Sequence, residues 1–398
     1  NSSPNMRHWK KGYGSLSMTD LKKSLAYKIK QFLWDLSGAF GDIGVLFPLA
    51  IALIAKNGFN PTALFLMAGL FYITAAYYFK ITMPVQPLKA MSAIAIASGL
   101  NVAIINGAGI VMGIVLIIIS LTGVSVKLGK IFPVSVIRGI QMGLGMMLIK
   151  ASVGLMNADI FIALLSGVML IASVFVIKKI PPLMPIMILG IILSVKGIEF
   201  AALGPVALTP GMPTLNNLWA GLIILVLPQI ALTFGNAIVA TEATGKILYG
   251  DRAARLNLIT IPISMGLANI IAGIIGGAPM CHGSGGLTAH YKFGATSERS
   301  GYIIGFLLIA LAVLFGSSAL PVISSFPKGI LGVLLCYVGL QHSLFIKDIL
   351  HEKQAIIIAL TVAILSYITN NLTAGFFAGI VIHHSLKGFV KLVNIVKK

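Results

Sequence analysis

Two short segments combine residue types that are costly in an apolar chain. Pro84-Val-Gln-Pro-Leu-Lys89 sets an amide and a cation beside two prolines, and Cys281-His-Gly-Ser-Gly-Gly286 sets an imidazole and a hydroxyl among three glycines. Pro87 suits a first helical position, where its missing N–H is no loss. Gln86 is then expected near the cap and Lys89 in the first turn. A lysine there opposes the helix dipole, and near mid-membrane it costs about 2.5–3.5 kcal/mol on insertion scales. An anion in front of the helix end offsets both costs, and the free backbone N–H groups there would bind it. The second segment offers a similar end. Gly283, Gly285 and Gly286 let backbone approach a ligand closely, while Ser284 supplies a hydroxyl and His282 a switchable donor. Two helix ends facing each other, with Lys89 between them, suit a small dianion with several acceptor oxygens. The competing structural readings are a buried ion pair of Lys89 with Asp42 or Glu242, a capping role for His282, and helix packing for the glycines.

Other polar residues share apolar segments. Asp35 and Asp42 lie seven apart in Trp34-Asp-Leu-Ser-Gly-Ala-Phe-Gly-Asp-Ile-Gly-Val-Leu-Phe-Pro48, which predicts one helix face. Asp42 is the deeper and is expected to orient Lys89 or help couple a cation; Asp35 reads as an interface charge. Gln229, Thr233 and Asn236 stand at i, i+4 and i+7, a polar stripe suited equally to gluing helices and to lining a polar cavity. Glu242 fits a cation or proton site, or a helix-end carboxylate near the cytoplasm. Cys281 and Cys336 form no framework with zinc or disulfide spacing, so no metal and no cofactor is expected. Gly-x-x-x-x-Gly-Lys-Ser/Thr, Gly-x-Ser-x-Gly and His-Glu-x-x-His are absent, which argues against an ATP-driven pump and a hydrolase.

The elements that must position these residues follow from composition. Of 398 residues 58% are hydrophobic and only 10% charged, against about 25% charged in a soluble protein. This excludes a soluble enzyme, a disordered chain and a secreted disulfide scaffold; the solvent is lipid. At roughly 20 residues per crossing, fourteen crossings are expected, at 32–55, 61–79, 82–100, 108–126, 134–150, 160–177 and 183–195, then 218–240, 256–276, 278–291, 301–320, 329–345, 355–369 and 372–386. With the N-terminus inside, every one of the 29 basic residues falls on the inner side except Lys56, Lys150, Lys196 and Lys328, outside, and Lys89, within a crossing. That bias follows the positive-inside rule and removes the need for a nucleic-acid partner to explain the net charge of +19. It predicts a multi-pass protein of the cell membrane with both termini cytoplasmic. The two costly segments open the third crossing of each seven. Each reads as a short extended strand followed by a half-helix starting near mid-membrane. Matching interruptions in two halves predict an inverted repeat with the binding site between them. The fold class is thus an all-α membrane protein with a seven-plus-seven inverted repeat, and no soluble domain is expected after the last crossing.

Four segments resemble the molybdate transporter type 1 family, a relative of the sulfate permeases. They are Phe40-Gly-Asp-Ile-Gly44 with Pro48, Pro84 to Lys89, Pro228-Gln-Ile-Ala-Leu-Thr-Phe-Gly-Asn236, and Pro279 to Gly286 continuing through Tyr291-Lys-Phe-Gly294. The likeness runs from Phe32 over nearly the whole chain. One departure is Gly235-Asn236-Ala237, where the family pattern has serine after asparagine. The resemblance implies a core domain of residues 32–133 and 218–327 and a gate of 134–217 and 328–398, after a cytoplasmic segment 1–31. It also implies a homodimer and an elevator-type motion of core past gate.

Together these readings give a secondary transporter of a tetrahedral oxyanion, molybdate first. The substrate-binding set is Gln86, Lys89, Gln229, Thr233, Asn236, His282, Gly283, Ser284, Gly285 and Gly286, with Asp42 and Glu242 coupling or orienting. A proton or sodium ion is the candidate coupling partner, and lipid the surrounding one. Alternatives are sulfate or a nucleobase on the same fold, an anion channel, or a membrane enzyme. Nucleobase carriers need carboxylates facing ring nitrogens, and Lys89 at a helix start argues against them.

Overall fold

The computed structural model describes residues 18–131, 133–177, 181–195 and 203–396, which are almost wholly helical. Residues 1–17, Lys178, Lys179, Lys196 and the last two lysines, part of the charge argument above, lie outside the described residues. Helices α1 (Met18–Ala39) and α2 (Ile43–Asn57) are bent by 41° about residues 40–42, and α3 (Pro61–Phe79) follows. Strand β1 (Gln86–Pro87) leads into α4 (Lys89–Ala97), then come α5 (Val102–Leu121), α6 (Val124–Ile131), α7 (Val134–Asn157), α8 (Ile160–Ile171) and α9 (Met184–Val195). The second half opens with α10 (Leu215–Gly221), α11 (Leu227–Leu232) and α12 (Thr241–Tyr249), joined by π-helical turns at Leu222–Val226 and Thr233–Ala240. Then follow α13 (Thr260–Ile275), β2 (Met280–Cys281), α14 (Ser284–Lys292), α15 (Arg299–Phe315), α16 (Ala319–Ser324), α17 (Lys328–Ser343), α18 (Lys353–Thr369) and α19 (Leu372–Val396). Among the described residues five helices are long and apolar enough to cross a membrane alone, and the bent rods α1–α2 and α10–α12 bring this to seven. The remaining apolar helices are shorter. The chain is a multi-pass helical membrane protein.

Non-helical backbone at membrane depth must find internal hydrogen-bond partners. β1 and β2 supply them to each other, pairing antiparallel with Gln86 opposite Cys281 and Pro87 opposite Met280. The Asn269 amide closes both backbone groups of Met280, at 2.7 and 2.9 Å. Asn57 donates to the carbonyls of Ala95 and Leu100 where α4 ends.

Four sequence expectations change. The Leu88 N–H donates to the Pro279 carbonyl, so the chain stays extended through Pro87, and Leu88, not Gln86, is the cap of α4. Lys89 is the first residue of α4. Asp35 and Asp42 do not share a helix face, because the break at residues 40–42 makes Asp42 the N-cap of α2. Asp35 is no surface charge: it is fully buried and accepts from Ser297 Oγ at 2.9 Å. The helix expected from residue 108 begins at Val102 because the Asn101 side chain caps it, accepting from the Ile104 N–H.

Two hydrophobic clusters organise the interior. One gathers mainly buried residues of α1–α5, the α10–α12 rod and α13–α16, with Ile137 of α7; the other gathers mainly those of α7–α9 and α17–α19, with Ile43 of α2, Ala289 of α14 and Phe293. Within each, backbones meet at glycine pairs. A Cβ on Gly69 of α3 would lie 2.6 Å from the Gly305 carbonyl of α15, and one on Gly113 of α5 would lie 2.6 Å from the Gly266 carbonyl of α13. Gly339 of α17 would likewise meet the Gly145 carbonyl of α7 at 2.7 Å. Close approach through small residues replaces the hydrophobic effect as the source of helix association in lipid. Gly305→Ala is therefore expected to lower stability by about 1–3 kcal/mol through overpacking. At Gly154 of α7, where a Cβ meets nothing within 4 Å, the same change should raise it by roughly 0.5–1 kcal/mol. Melting curves of the two purified variants should shift in opposite directions.

Candidate functional site

The two half-helix starts face each other across a tight cavity. Its polar wall is Asp42 at the α2 cap, Gln86 of β1, Lys89 of α4, and Gly285 and Gly286 of α14. The opposite wall is aliphatic: Leu148 of α7 with Leu334, Leu335 and Val338 of α17. The cavity is narrow, with room for only about one water molecule.

Asp42 anchors the polar wall. The residue is 2% exposed. Oδ1 accepts from Gln86 Nε2, and Oδ2 accepts from the Tyr72 hydroxyl at 3.3 Å and lies 3.9 Å from His290 Nε2. His290 Nδ1 sits 2.7 Å from the Gly38 carbonyl, which fixes Nδ1 as the ring nitrogen bearing hydrogen. The other amide atom of Gln86, Oε1, is buried without a partner. Lys89 is half-buried, and among the described residues no carboxylate lies within 4.0 Å of its ammonium. A Cβ on Gly283 would stand 3.5 Å from Gln86 Oε1 and 3.7 Å from Lys89 Nζ, so the lysine reaches across to the start of α14.

A second polar group flanks this wall. Ser284 donates to Asn236 Oδ1 at 2.7 Å and lies 3.2 Å from His342 Nε2. Thr288 Oγ1 is 2.9 Å from His342 Nδ1. Since Ser284 and Thr288 belong to α14 and His342 to α17, these bonds tie the two helices together. Gln229 accepts from the Met91 N–H at 2.9 Å and donates to Thr233 at 3.0 Å. It thus holds one of the free N–H groups at the start of α4. The π-helical turn carrying Thr233 and Asn236 is the kind of distortion that gathers at functional sites.

Residues 35–148 and 221–341 match the family described as the molybdate transporter of the MFS superfamily. The chain belongs to this molybdate transporter family. Every residue named in the cavity wall lies inside the two matched regions. Molybdate transporter 2 of Arabidopsis thaliana is 26% identical over 89% of this chain and 87% of its own length. Two solved structures share the fold. The transmembrane domain of a cyanobacterial bicarbonate transporter, BicA, has a TM-score of 0.53 at 17% identity, covering 88% of this chain and 97% of that one. SLC26A9 has a TM-score of 0.60 at 15% identity, covering 93% and 67%. A member of this family is a membrane transporter and not an enzyme.

Measured against the sequence expectations for a molybdate transporter family member, the structure brings Asp42, Gln86, Lys89, Gly285 and Gly286 to one cavity with Gly283 at its edge. Ser284 and Asn236 stand beside it, bonded to each other, while Gln229 and Thr233 brace α4. His282 does not line the cavity. Its ring packs against Phe71 and Phe79, and its nitrogens engage the Pro84 carbonyl and Ser264. Glu242 does not line it either and pairs with Lys246 one turn on, at 2.6 Å. Sequence reasoning missed Tyr72, His290, His342 and the four aliphatic wall residues. His290 was findable, standing four residues after Gly286 on the same face of α14. So was His342, a histidine inside an apolar crossing.

Proposed function

We propose that this chain carries a tetrahedral oxyanion, molybdate first, through the cell membrane, holding it between the starts of α4 and α14. The observation that carries this reading is Lys89: a cation at a helix N-terminus within the membrane, with no carboxylate partner within 4.0 Å among the described residues. Such a group is expensive in lipid unless something negative faces it. The backbone N–H groups at Gly285 and Gly286 add neutral donors suited to oxygen acceptors. The relatives named as molybdate transporters support molybdate as the cargo.

The cavity is narrower than an oxyanion needs, so loading requires the aliphatic wall on α7 and α17 to draw back. That fits an elevator in which the core, residues 32–133 and 218–327, slides past the gate, residues 134–217 and 328–398. The two hydrophobic clusters support this division. The paired glycine contacts of α3 with α15 and of α5 with α13 support two inverted halves of seven crossings, since each contact is the other's counterpart. Cytoplasmic termini rest on the lysine and arginine distribution, and homodimerisation on the family resemblance.

Titrating the purified protein with molybdate in a calorimeter, alone and then in excess sulfate or uracil, tests the cargo. Saturable heat that uracil leaves untouched is expected, with sulfate competing only at higher concentration. Absence of molybdate heat together with uracil binding would overturn the reading.

A further inference from the structure

Asp42 presents a problem for an anion site: its carboxylate lines the cavity that would receive the negative cargo. The Gln86 amide compounds it. With Nε2 given to Asp42 Oδ1, the acceptor Oε1 is left buried and unpartnered beside Lys89 and the start of α14. Turning the amide over would set its N–H groups toward the cavity, but would bring Oε1 against a carboxylate oxygen, two acceptors with no hydrogen between them. A single proton on Asp42 removes the conflict. The carboxyl O–H then donates to Gln86 Oε1, and the amide N–H groups are released to the oxyanion.

We propose that oxyanion binding takes up one proton, received by Asp42, which reverses the Gln86 amide from acceptor to donor toward the cargo. This rests on the oxyanion reading above and names its coupling ion. The balance is simple: dianion and proton enter together, one O–H bond forms on Asp42, and one hydrogen bond reverses direction. The neighbours of Asp42 favour a proton over sodium. Gln86 Nε2, the Tyr72 hydroxyl of α3 and the His290 ring of α14 surround it. Two of those three are nitrogens, whereas a hard cation needs a shell of oxygens. Lys89 of α4 and the Cys281 thiol of β2 are the other titratable groups close enough to feel its charge, and α7 and α17 face it only with aliphatic side chains. With its hydrogen on Nδ1 held by Gly38, His290 presents the Nε2 lone pair 3.4 Å from the Tyr72 hydroxyl and 3.9 Å from Asp42 Oδ2, a second acceptor to which that hydroxyl can turn once Asp42 is protonated.

The test is calorimetry of the wild-type protein with sodium and choline molybdate, between pH 6.5 and 8, in buffers of different ionisation heat. About one proton taken up per molybdate is expected, with Kd rising about tenfold per pH unit once Asp42 is ionised in the free protein, and no dependence on sodium. Asp42→Asn carries an N–H donor in place of the carboxyl O–H. It should bind molybdate with no proton uptake and with a Kd flat in pH, whereas Asp42→Ala, lacking that donor, should bind more weakly than Asp42→Asn. Wild-type binding without proton uptake, or a persisting pH slope in Asp42→Asn, would overturn this proposal alone. Wild-type protein that binds no oxyanion at any pH would overturn it together with the oxyanion reading.

Discussion

Lys89→Ala is expected to weaken molybdate binding on the order of a thousandfold while leaving the fold as stable as before, or more so. At an effective dielectric near 20, one unit charge 4 Å from another is worth about 4 kcal/mol, and a dianion doubles that ceiling. Desolvation of both partners takes back part of it, so a net loss of about 4 kcal/mol, three decades in Kd, is the reasonable scale. The stability effect runs the other way. Lys89 is the first residue of α4, where a cation opposes the helix dipole, and no carboxylate lies within 4.0 Å of it among the described residues. Alanine removes both penalties. A melting curve without ligand and a titration with molybdate separate the two effects. Wild-type affinity in the variant would remove Lys89 from the site.

How much of this site could be read beforehand depends on the kind of signal. Prolines and glycines interrupting an apolar run are penalised wherever they are not needed, so both half-helix starts were legible, and so was Lys89 at one of them. Side-chain direction was not. In an extended segment successive side chains alternate between faces. Nothing local says that His282 turns toward Phe71 and Phe79 while the backbone of Gly285 and Gly286 meets the cavity. The helix start at Lys89 rather than Pro87 was hidden for a related reason, because it is set by the Leu88 bond to Pro279, nearly two hundred residues away. Asp35 and Asp42 were separated by a break that helical spacing alone does not reveal. The aliphatic wall was invisible, since Leu148, Leu334, Leu335 and Val338 resemble lipid-facing residues in any periodicity argument. The stripe of Gln229, Thr233 and Asn236 was seen, but its task differs along its length: Gln229 holds the Met91 N–H in the first turn of α4, whereas Asn236 holds Ser284.

The asymmetry of the walls has a mechanical meaning. All the polar groups lining the cavity come from α2, β1, α4 and α14, and the facing helices α7 and α17 offer only aliphatic surface there. An ion held by one side alone can travel with that side, because no hydrogen bond to the other must break. Away from the cavity, polar bonds do join the two sides: His342 of α17 meets Ser284 and Thr288 of α14, Gln141 of α7 donates to Thr244 of α12, and the Leu183 N–H donates to Ser37 of α1. These are the contacts that the proposed sliding of core past gate would have to give up.

Gly286→Ala is expected to cost about a hundredfold in molybdate affinity by a purely steric route. A Cβ there would stand 2.6 Å from Gln86 Nε2, 2.6 Å from Pro84 Cβ and 3.0 Å from Asp42 Oδ2. Pro84 cannot retreat easily, since its carbonyl is tied to His282 Nδ1 at 2.8 Å. The yielding group is therefore Gln86, which must leave Asp42, or α14, which must back away and take the N–H groups of its first turn with it. Overpacking of this kind costs about 1–3 kcal/mol, and near 2.7 kcal/mol that is two decades in Kd. Gly283→Ala is the matched control. Its backbone is extended, at φ −133° and ψ 137°, which alanine adopts freely. Its Cβ would meet its nearest neighbours at 3.5 and 3.7 Å, ordinary contact distances. Gly283→Ala should fold as the parent does and bind within about tenfold of it, since contact without overlap costs less than 1.4 kcal/mol. Equal binding by both variants would mean that the approach of α14 to Gln86 and Asp42 does not shape the site. A loss confined to Gly286→Ala would place the first turn of α14 against the oxyanion, because the two glycines differ in what their missing side chains leave room for.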